Sequence, residues 1–278
     1  MLDARPWSRD DTARFVRVPG PDDDKYSRGV VGLRTGSAAY PGAAVLGVEA
    51  AWRAGAGFVR FIGDGRAADA VIARRPETVV SAHASRARVG AWVIGSGMDA
   101  AHRGTEEERE LRELLDGTAT VVVDAGALDL AVHGTAPRIL TPHAREFARL
   151  QEQLGAVGET DREQAASRMA GELGAVVLLK GSQTLIADPD GLVLRVDAGT
   201  GWLATAGTGD VLGGVLGALL AANADAPIAQ AAAAGAWLHG HAGRIAAGVG
   251  DGGGRRGHPI VALDVAEALP RAIADVLA

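Results

Sequence analysis

The sequence predicts a three-layer α/β/α fold with a mostly parallel central sheet. Two observations carry that prediction. Short apolar, β-branched runs alternate with longer helical patterns along the chain, the rhythm of strand–helix–strand units. Ala and Gly dominate the 47% hydrophobic content while aromatics are only 4%, a mix that suits helices packed closely on a sheet. The 278 residues could form one large domain or two small ones, and no stretch rich in Pro, Ser or charge divides them. The expected organisation is a charged, poorly ordered lead-in over residues 1–25, closing on Pro21-Asp22-Asp23-Asp24, and a single domain over residues 26–278.

The elements follow in order. Tyr40-Pro41-Gly42-Ala43-Ala44 opens a helix near 43–55, because Pro suits a first helical turn. Gly55-Ala56-Gly57 ends it. Strands are predicted at Gly57–Ile62, Ala91–Ile94, Thr120–Val123 and Ala175–Leu179, each a compact apolar run suited to a central parallel strand. A capping box of Thr105 with Glu108 introduces a helix over 105–116, and Thr160 with Glu163 introduces another over 161–173. Arg138–Leu140 is a further short run, followed by a helix over Arg145–Gln153. Thr184–Ala187 and Leu192–Val196 flank Asp188-Pro189-Asp190-Gly191, a tight hairpin late in the sheet. The last third is helical over 210–223, 227–248 and 264–276, with a glycine and arginine loop from Gly250 to Gly257.

Composition excludes several functions. A formal net charge of −6 argues against a nucleic-acid surface. With no cysteine there are neither disulfides nor thiolate chemistry. The first residues, Met1 to Trp7, lack the apolar core of a secretory signal, and the apolar run Val211–Ala222 is too short to span a bilayer. A cytoplasmic location without membrane attachment is the expectation. No P-loop, His-Glu-x-x-His or Gly-x-Ser-x-Gly motif occurs.

The most informative segment is Thr205-Ala206-Gly207-Thr208-Gly209-Asp210-Val211-Leu212-Gly213-Gly214. A glycine-rich turn runs into an apolar helix, so backbone N–H groups and the helix's first-turn amides converge on an anion. Asp210 is either a catalytic acid or base at the lip of a phosphate cradle or an ordinary helix cap. Four more polar clusters follow predicted strands: Gly95-Ser96-Gly97-Met98, Asp124-Ala125-Gly126-Ala127, Thr141-Pro142-His143, and Lys180-Gly181-Ser182-Gln183-Thr184. In open α/β sheets, ligands collect at the carboxyl ends of strands, so the shared placement points to one site. Taken singly, Asp124 is a phosphate-side or metal-side carboxylate or a turn acid. His143 is a ligand contact, a general acid or a helix-start residue, and Lys180 attracts phosphate or ends a strand in solvent. His239 and His241, two apart on a helix, face different directions and disfavour a metal site.

In order along the chain, Tyr40-Pro41-Gly42-Ala43-Ala44, Gly55-Ala56-Gly57, Asp124-Ala125, Leu140-Thr141-Pro142-His143, Lys180-Gly181 and Ala206-Gly207-Thr208-Gly209-Asp210 resemble the ADP-dependent NAD(P)H-hydrate dehydratases of the ribokinase-like superfamily. The resemblance spans roughly residues 25–275. It implies a ribokinase-like domain that repairs hydrated NADH and NADPH. ADP phosphorylates the ring hydroxyl of the S epimer, and phosphate elimination then restores the reduced dinucleotide, leaving AMP and phosphate. Carried over, Lys180, Gly181, Ser182, Gln183, Thr184 and Gly209 would bind the AMP moiety. Ala43, Gly97, His143 and Asp210 would contact the hydrated dinucleotide, and Asp210 would be the catalytic base. Gly207, Thr208 and Gly209 would form the anion hole. The resemblance further implies Mg²⁺ bridging the nucleotide phosphates rather than a protein metal site, a homotetramer, and a separate epimerase, for which this chain has no room.

The chain departs from the family pattern at three places. Arg34-Thr35-Gly36-Ser37 stands where a Gly-Gly pair is usual. Gly95-Ser96-Gly97-Met98 replaces Gly-Pro-Gly-Leu, and Asp129 replaces an Asn. A kinase of the same fold acting on a vitamin-precursor alcohol would use the same Asp210 and cradle. A non-catalytic nucleotide-binding regulator is a third reading, although binding alone would not require that carboxylate.

Overall fold

Alternating residues of the central strands face opposite helical layers. Val31, Leu33, Val59, Phe61 and Val93 pack into one apolar core, while Trp92, Ile94, Val121 and Val123 pack into another. That alternation makes the sheet buried on both faces, as a parallel sheet requires. The computed structural model describes residues 4–84, 88–156, 161–250 and 256–278. In chain order its elements are β1 (Arg5–Pro6), α1 (Arg9–Ala13), β2 (Val30–Arg34), α2 (Pro41–Arg53), β3 (Phe58–Ile62), α3 (Gly65–Arg74), β4 (Val79–Ser81) and β5 (Ala91–Ile94). There follow α4 (Thr105–Leu115), β6 (Thr120–Val123), β7 (Arg138–Leu140), α5 (Ala144–Gln153), α6 (Arg162–Leu173) and β8 (Val176–Leu179). The chain closes with β9 (Thr184–Ala187), β10 (Val193–Val196), α7 (Thr208–Ala222), α8 (Ile228–Ala246) and α9 (Ala262–Leu277).

The strands order as β1-β10-β9-β8-β7-β6-β5-β2-β3-β4. All pairs are parallel except those of β9, which runs antiparallel to both β8 and β10. The chain proceeds outward from β2 to β4, then returns to β5 on the other side of β2. The crevice at the carboxyl ends of β2 and β5 is therefore the topological switch point, where such sheets bind ligands. Helices α2, α3, α7, α8 and α9 cover one face, and α4, α5 and α6 the other. No helix among the described residues is long and apolar enough to cross a membrane.

The amino-terminal segment corrects the expected disordered lead-in. Arg5–Pro6 adds an edge strand beside β10. Trp7 and Phe15 are buried with ring centroids 5.8 Å apart, and the Trp7 indole donates to Thr12 Oγ1 at 2.9 Å. Two aromatics in a charged stretch supply enough apolar surface to fold it back. The predicted Thr105 cap is also corrected: Thr105 is the first residue of α4, Gly104 is the N-cap, and no side chain caps the helix. Thr160 lies outside the described residues; α6 is capped by Asp161, whose side chain accepts from Glu163 N and Gln164 N. Of the Gly250–Gly257 loop, residues 251–255 lie outside them too.

Strand β2 escapes the sequence pattern because Gly32 interrupts its apolar run. A Cβ there would sit 2.2 Å from the Trp92 ring, so the indole of β5 occupies the space a side chain would take.

Helix α7 approaches α2 equally closely. A Cβ at Gly214 would lie 2.2 Å from the Gly47 carbonyl oxygen and 2.8 Å from Ala50 Cβ. We predict that Gly214→Val forces the two helices apart and costs about 3 kcal/mol or more in urea unfolding. Gly42→Ala, at a position with nothing within 4 Å of the added Cβ, should match or slightly exceed wild-type stability.

Candidate active site

Five strand ends and one helix start build the site. Helix α7 begins at Thr208 behind Gly207, whose φ is +89°. A Cβ at Gly207 would be strained and would meet Leu46 Cδ1 at 2.6 Å, so only glycine fits this turn. No side chain caps α7, and its first-turn amides remain available to an anion. The helix-cap reading of Asp210 therefore does not hold. Its Oδ1 accepts a hydrogen bond from the Ser96 hydroxyl. The other oxygen, Oδ2, lies 3.7 Å from the position a Gly207 Cβ would occupy, beside the glycine turn. Burial pushes the Asp210 carboxyl above the usual aspartate range; the Ser96 bond and Lys180 oppose the rise, and Asp124 adds to it.

Asp124, buried at the end of β6, accepts from Thr141 Oγ1 at 2.9 Å and from Lys180 Nζ at 2.8 Å through the same Oδ1. Lys180 Nζ and Asp124 Oδ2 lie 3.6 and 3.8 Å from the ideal Cβ position of Gly209, so the ion pair abuts the start of α7. His143 is the N-cap of α5: Nδ1 accepts from Arg145 N and Glu146 N, which leaves Nε2 as the N–H side of the neutral ring. Glu146 Oε2 accepts in return from His143 N at 2.8 Å and comes within 4.0 Å of Lys180 Nζ.

A cavity of about 610 Å³ opens beside this cluster. Lys180, Gly181, Ser182 and Thr184 line it together with Thr208, Gly209 and His143. Gln183 does not; its carbonyl accepts from Arg162 Nη1 at 3.3 Å. That guanidinium would lie 2.6 Å from a Gly181 Cβ. Ala43 and Gly97 lie instead at the switch point. A Cβ on Gly97 would meet Ala43 Cβ at 2.4 Å, and Gly36 N donates to Ser96 O at 2.6 Å. The site thus has two lobes, joined at Gly209 and Asp210. Sequence reasoning passed over Thr35, whose buried hydroxyl has no partner among the described residues. It also passed over Glu146 and over His239 as a cavity wall. Glu146 carried a local signal, the capping box it closes with His143, whereas Thr35 after β2 and His239 opposite the start of α7 carried none.

The family model for NAD(P)H-hydrate dehydratase matches residues 31–249. The chain belongs to the NAD(P)H-hydrate dehydratase family. It is 47% identical over 233 residues to the bifunctional NAD(P)H-hydrate repair enzyme Nnr of Mycobacterium tuberculosis, covering 80% of this chain and 47% of that protein. It is 38% identical over 234 residues to the ADP-dependent (S)-NAD(P)H-hydrate dehydratase of Neisseria meningitidis, covering 80% and 78%. The chain spans half or less of the mycobacterial and corynebacterial bifunctional relatives it matches. Among solved structures, the ADP/ATP-dependent NAD(P)H-hydrate dehydratase of Bacillus subtilis, co-crystallised with ATP/Mg²⁺, superposes with a TM-score of 0.84 at 26% identity over 99% of this chain and 100% of that one. More distant ribokinase-like neighbours, such as an aminoimidazole riboside kinase from Salmonella enterica, share the fold.

His239 of α8 sets its Nε2 at 3.0 Å from the Thr208 carbonyl of α7. Burial lowers its pKa from 6.5 to about 4. A ring kept neutral in the fold but protonated in the unfolded chain gives stability that is complete above pH 6.5 and lost as pH falls toward about 4. We predict that His239→Gln loses on the order of 3 kcal/mol less than wild type over that interval, read by urea unfolding at both ends. Equal losses in both proteins would show that His239 does not titrate on unfolding.

Proposed function

We propose that this chain restores NADH and NADPH from the S epimers of their hydrates, using ADP as phosphoryl donor and releasing AMP and phosphate. The observation that carries the reading is the placement of Asp210: one carboxylate oxygen is held by Ser96 and the other stands open beside an uncapped glycine turn. The family membership and the name of the Neisseria relative supply the substrate and donor.

The nucleotide would occupy the cavity of Lys180, Gly181, Ser182, Thr184 and Gly209, with its terminal phosphate at the α7 amides. The hydrated ring would enter at the switch point over Ala43 and Gly97, with His143 at the boundary. Asp210 takes the proton of the ring hydroxyl as that oxygen attacks the β-phosphorus and AMP departs. The Gly207–Gly209 turn and Lys180 stabilise charge on the transferring group. In the second step the ring nitrogen's lone pair expels phosphate with the C–O bonding pair. Loss of a proton from the adjacent ring carbon then re-forms the double bond. Hydroxide is a poor leaving group and phosphate a good one, so positioning and charge are the protein's main contribution.

Among the described residues no group of three or more His, Asp or Glu side chains could hold a metal ion, and Asp124 Oδ1 is already shared by Thr141 and Lys180. Mg²⁺ would arrive on the nucleotide phosphates and neutralise part of their charge. The R epimer would reach this site only through an epimerase, since the Neisseria relative is specific by name for the S form.

The direct test mixes protein, NADH hydrate and Mg²⁺ with ADP or ATP and follows the return of reduced-nicotinamide absorbance. Recovery with ADP, matched by AMP and phosphate, is the expected result. A stable phosphomonoester without recovery would place the chain among kinases. Asp210→Asn should keep ADP binding and lose ~10²–10⁴-fold in kcat; wild-type turnover would remove it from the base role. Lys180→Ala should weaken ADP binding first, and unchanged affinity by calorimetry would take Lys180 out of the nucleotide lobe.

A further inference from the structure

Ser96 is the residue whose side chain hydrogen-bonds the Asp210 carboxylate among the described residues. We propose that Ser96 is a positioning residue for the base: its hydroxyl donates to Asp210 Oδ1 and so turns Oδ2 toward the Gly207–Gly209 turn. The inference rests on Asp210 being the base.

The placement of Ser96 is over-determined. The residue is 2% exposed and sits at the switch point. Its carbonyl accepts from Gly36 N, binding the loop after β5 to the loop after β2. Glycines with positive φ flank it, at +93° for Gly95 and +68° for Gly97. A Cβ at Gly95 would fall 2.1 Å from the Asp124 carbonyl oxygen and one at Gly97 2.4 Å from Ala43 Cβ, so both flanks are closely packed. The backbone therefore delivers one side chain, at a fixed angle, to one carboxylate oxygen. A base, its proton acceptor oxygen and a third group that orients it is the arrangement general-base sites use.

A donor at Oδ1 also favours the ionised carboxylate over the neutral acid. That matters here because burial acts in the opposite direction on Asp210, with Asp124, just after β6, adding to it. Lys180 favours ionisation, but its ammonium is already engaged with Asp124. From α8, His239 reaches only the Thr208 carbonyl. From α2 and α9, the atoms nearest this turn belong to Leu46, Gly47 and Ala262, none of them titratable. Glu49 of α2 is buried but committed to Arg53, Arg74 and Arg75. Ser96 is thus the uncharged group that offsets the cost of burying the base.

The test is Ser96→Ala, read in two ways. In the ligand-free protein, ¹³C NMR of the aspartate carboxyls follows Asp210, identified by the signal missing in Asp210→Asn. Its titration midpoint should move up by about one pH unit. In turnover with NADH hydrate and ADP, the acid limb of the pH–rate profile should move up by the same amount. At neutral pH kcat should fall ~10-fold with KM for ADP unchanged. An unmoved midpoint and an unmoved acid limb would overturn the proposal, whatever happened to stability. A fall in kcat without either shift would also overturn it, because a merely structural hydroxyl would produce that result. A shifted midpoint in a protein whose wild type shows no hydrate repair would uphold the Ser96–Asp210 coupling and sink the functional reading instead.

Discussion

Helix α7 lies against the sheet and against α2 with almost no side chain between. Cβ atoms at Gly213 and Gly217 would press on Val93 and Val31, and one at Gly214 on the Gly47 carbonyl. This close approach sets where the amino end of α7 stops, and everything polar in the site is referred to that end. Had the interface been built from leucines, the helix would stand further off. Its free amides would then miss the crevice between β2 and β5. The alanine and glycine richness of the chain is the compositional trace of this requirement.

Around the helix start, the protein buries charge and answers it locally. Asp124 is nearly inaccessible, yet it accepts from Thr141 and Lys180. Asp210 is answered by a hydroxyl rather than a cation. The difference suits the two carboxylates to different work. Asp124 fixes the Lys180 ammonium beside the start of α7, whereas Asp210, the proposed base, keeps Oδ2 beside the glycine turn. The same logic keeps His239 neutral: it lends an N–H to the Thr208 carbonyl without adding a second cation beside Lys180.

Much of the fold was legible in the sequence. β5, β6, β7 and β9 coincide with their predicted runs, and β3, β8 and β10 differ at one end by one residue. Dense β-branched runs identify buried parallel strands wherever a glycine does not interrupt them. The misses share a cause in tertiary packing. β2 needed the Trp92 ring to fill the gap at Gly32. The amino-terminal strand needed the exposed edge of β10 to pair with, and α4 has no side-chain cap although Thr105 suggested one.

The sequence by itself determined the α/β class, the glycine turn ahead of α7, and the residue types collected after the strands. Each of these is a property of neighbouring residues: periodicity, turn chemistry and cap preference. Only the tertiary structure decided which of those clusters meet. It joined Lys180 to Asp124, set Asp210 apart from any capping role, split the site into a cavity lobe and a switch-point lobe, and placed Ser96 on the carboxylate 114 positions away. Such contacts depend on the order of strands in the sheet and on the few ångströms between α7 and α2, and neither is written in any local stretch of chain.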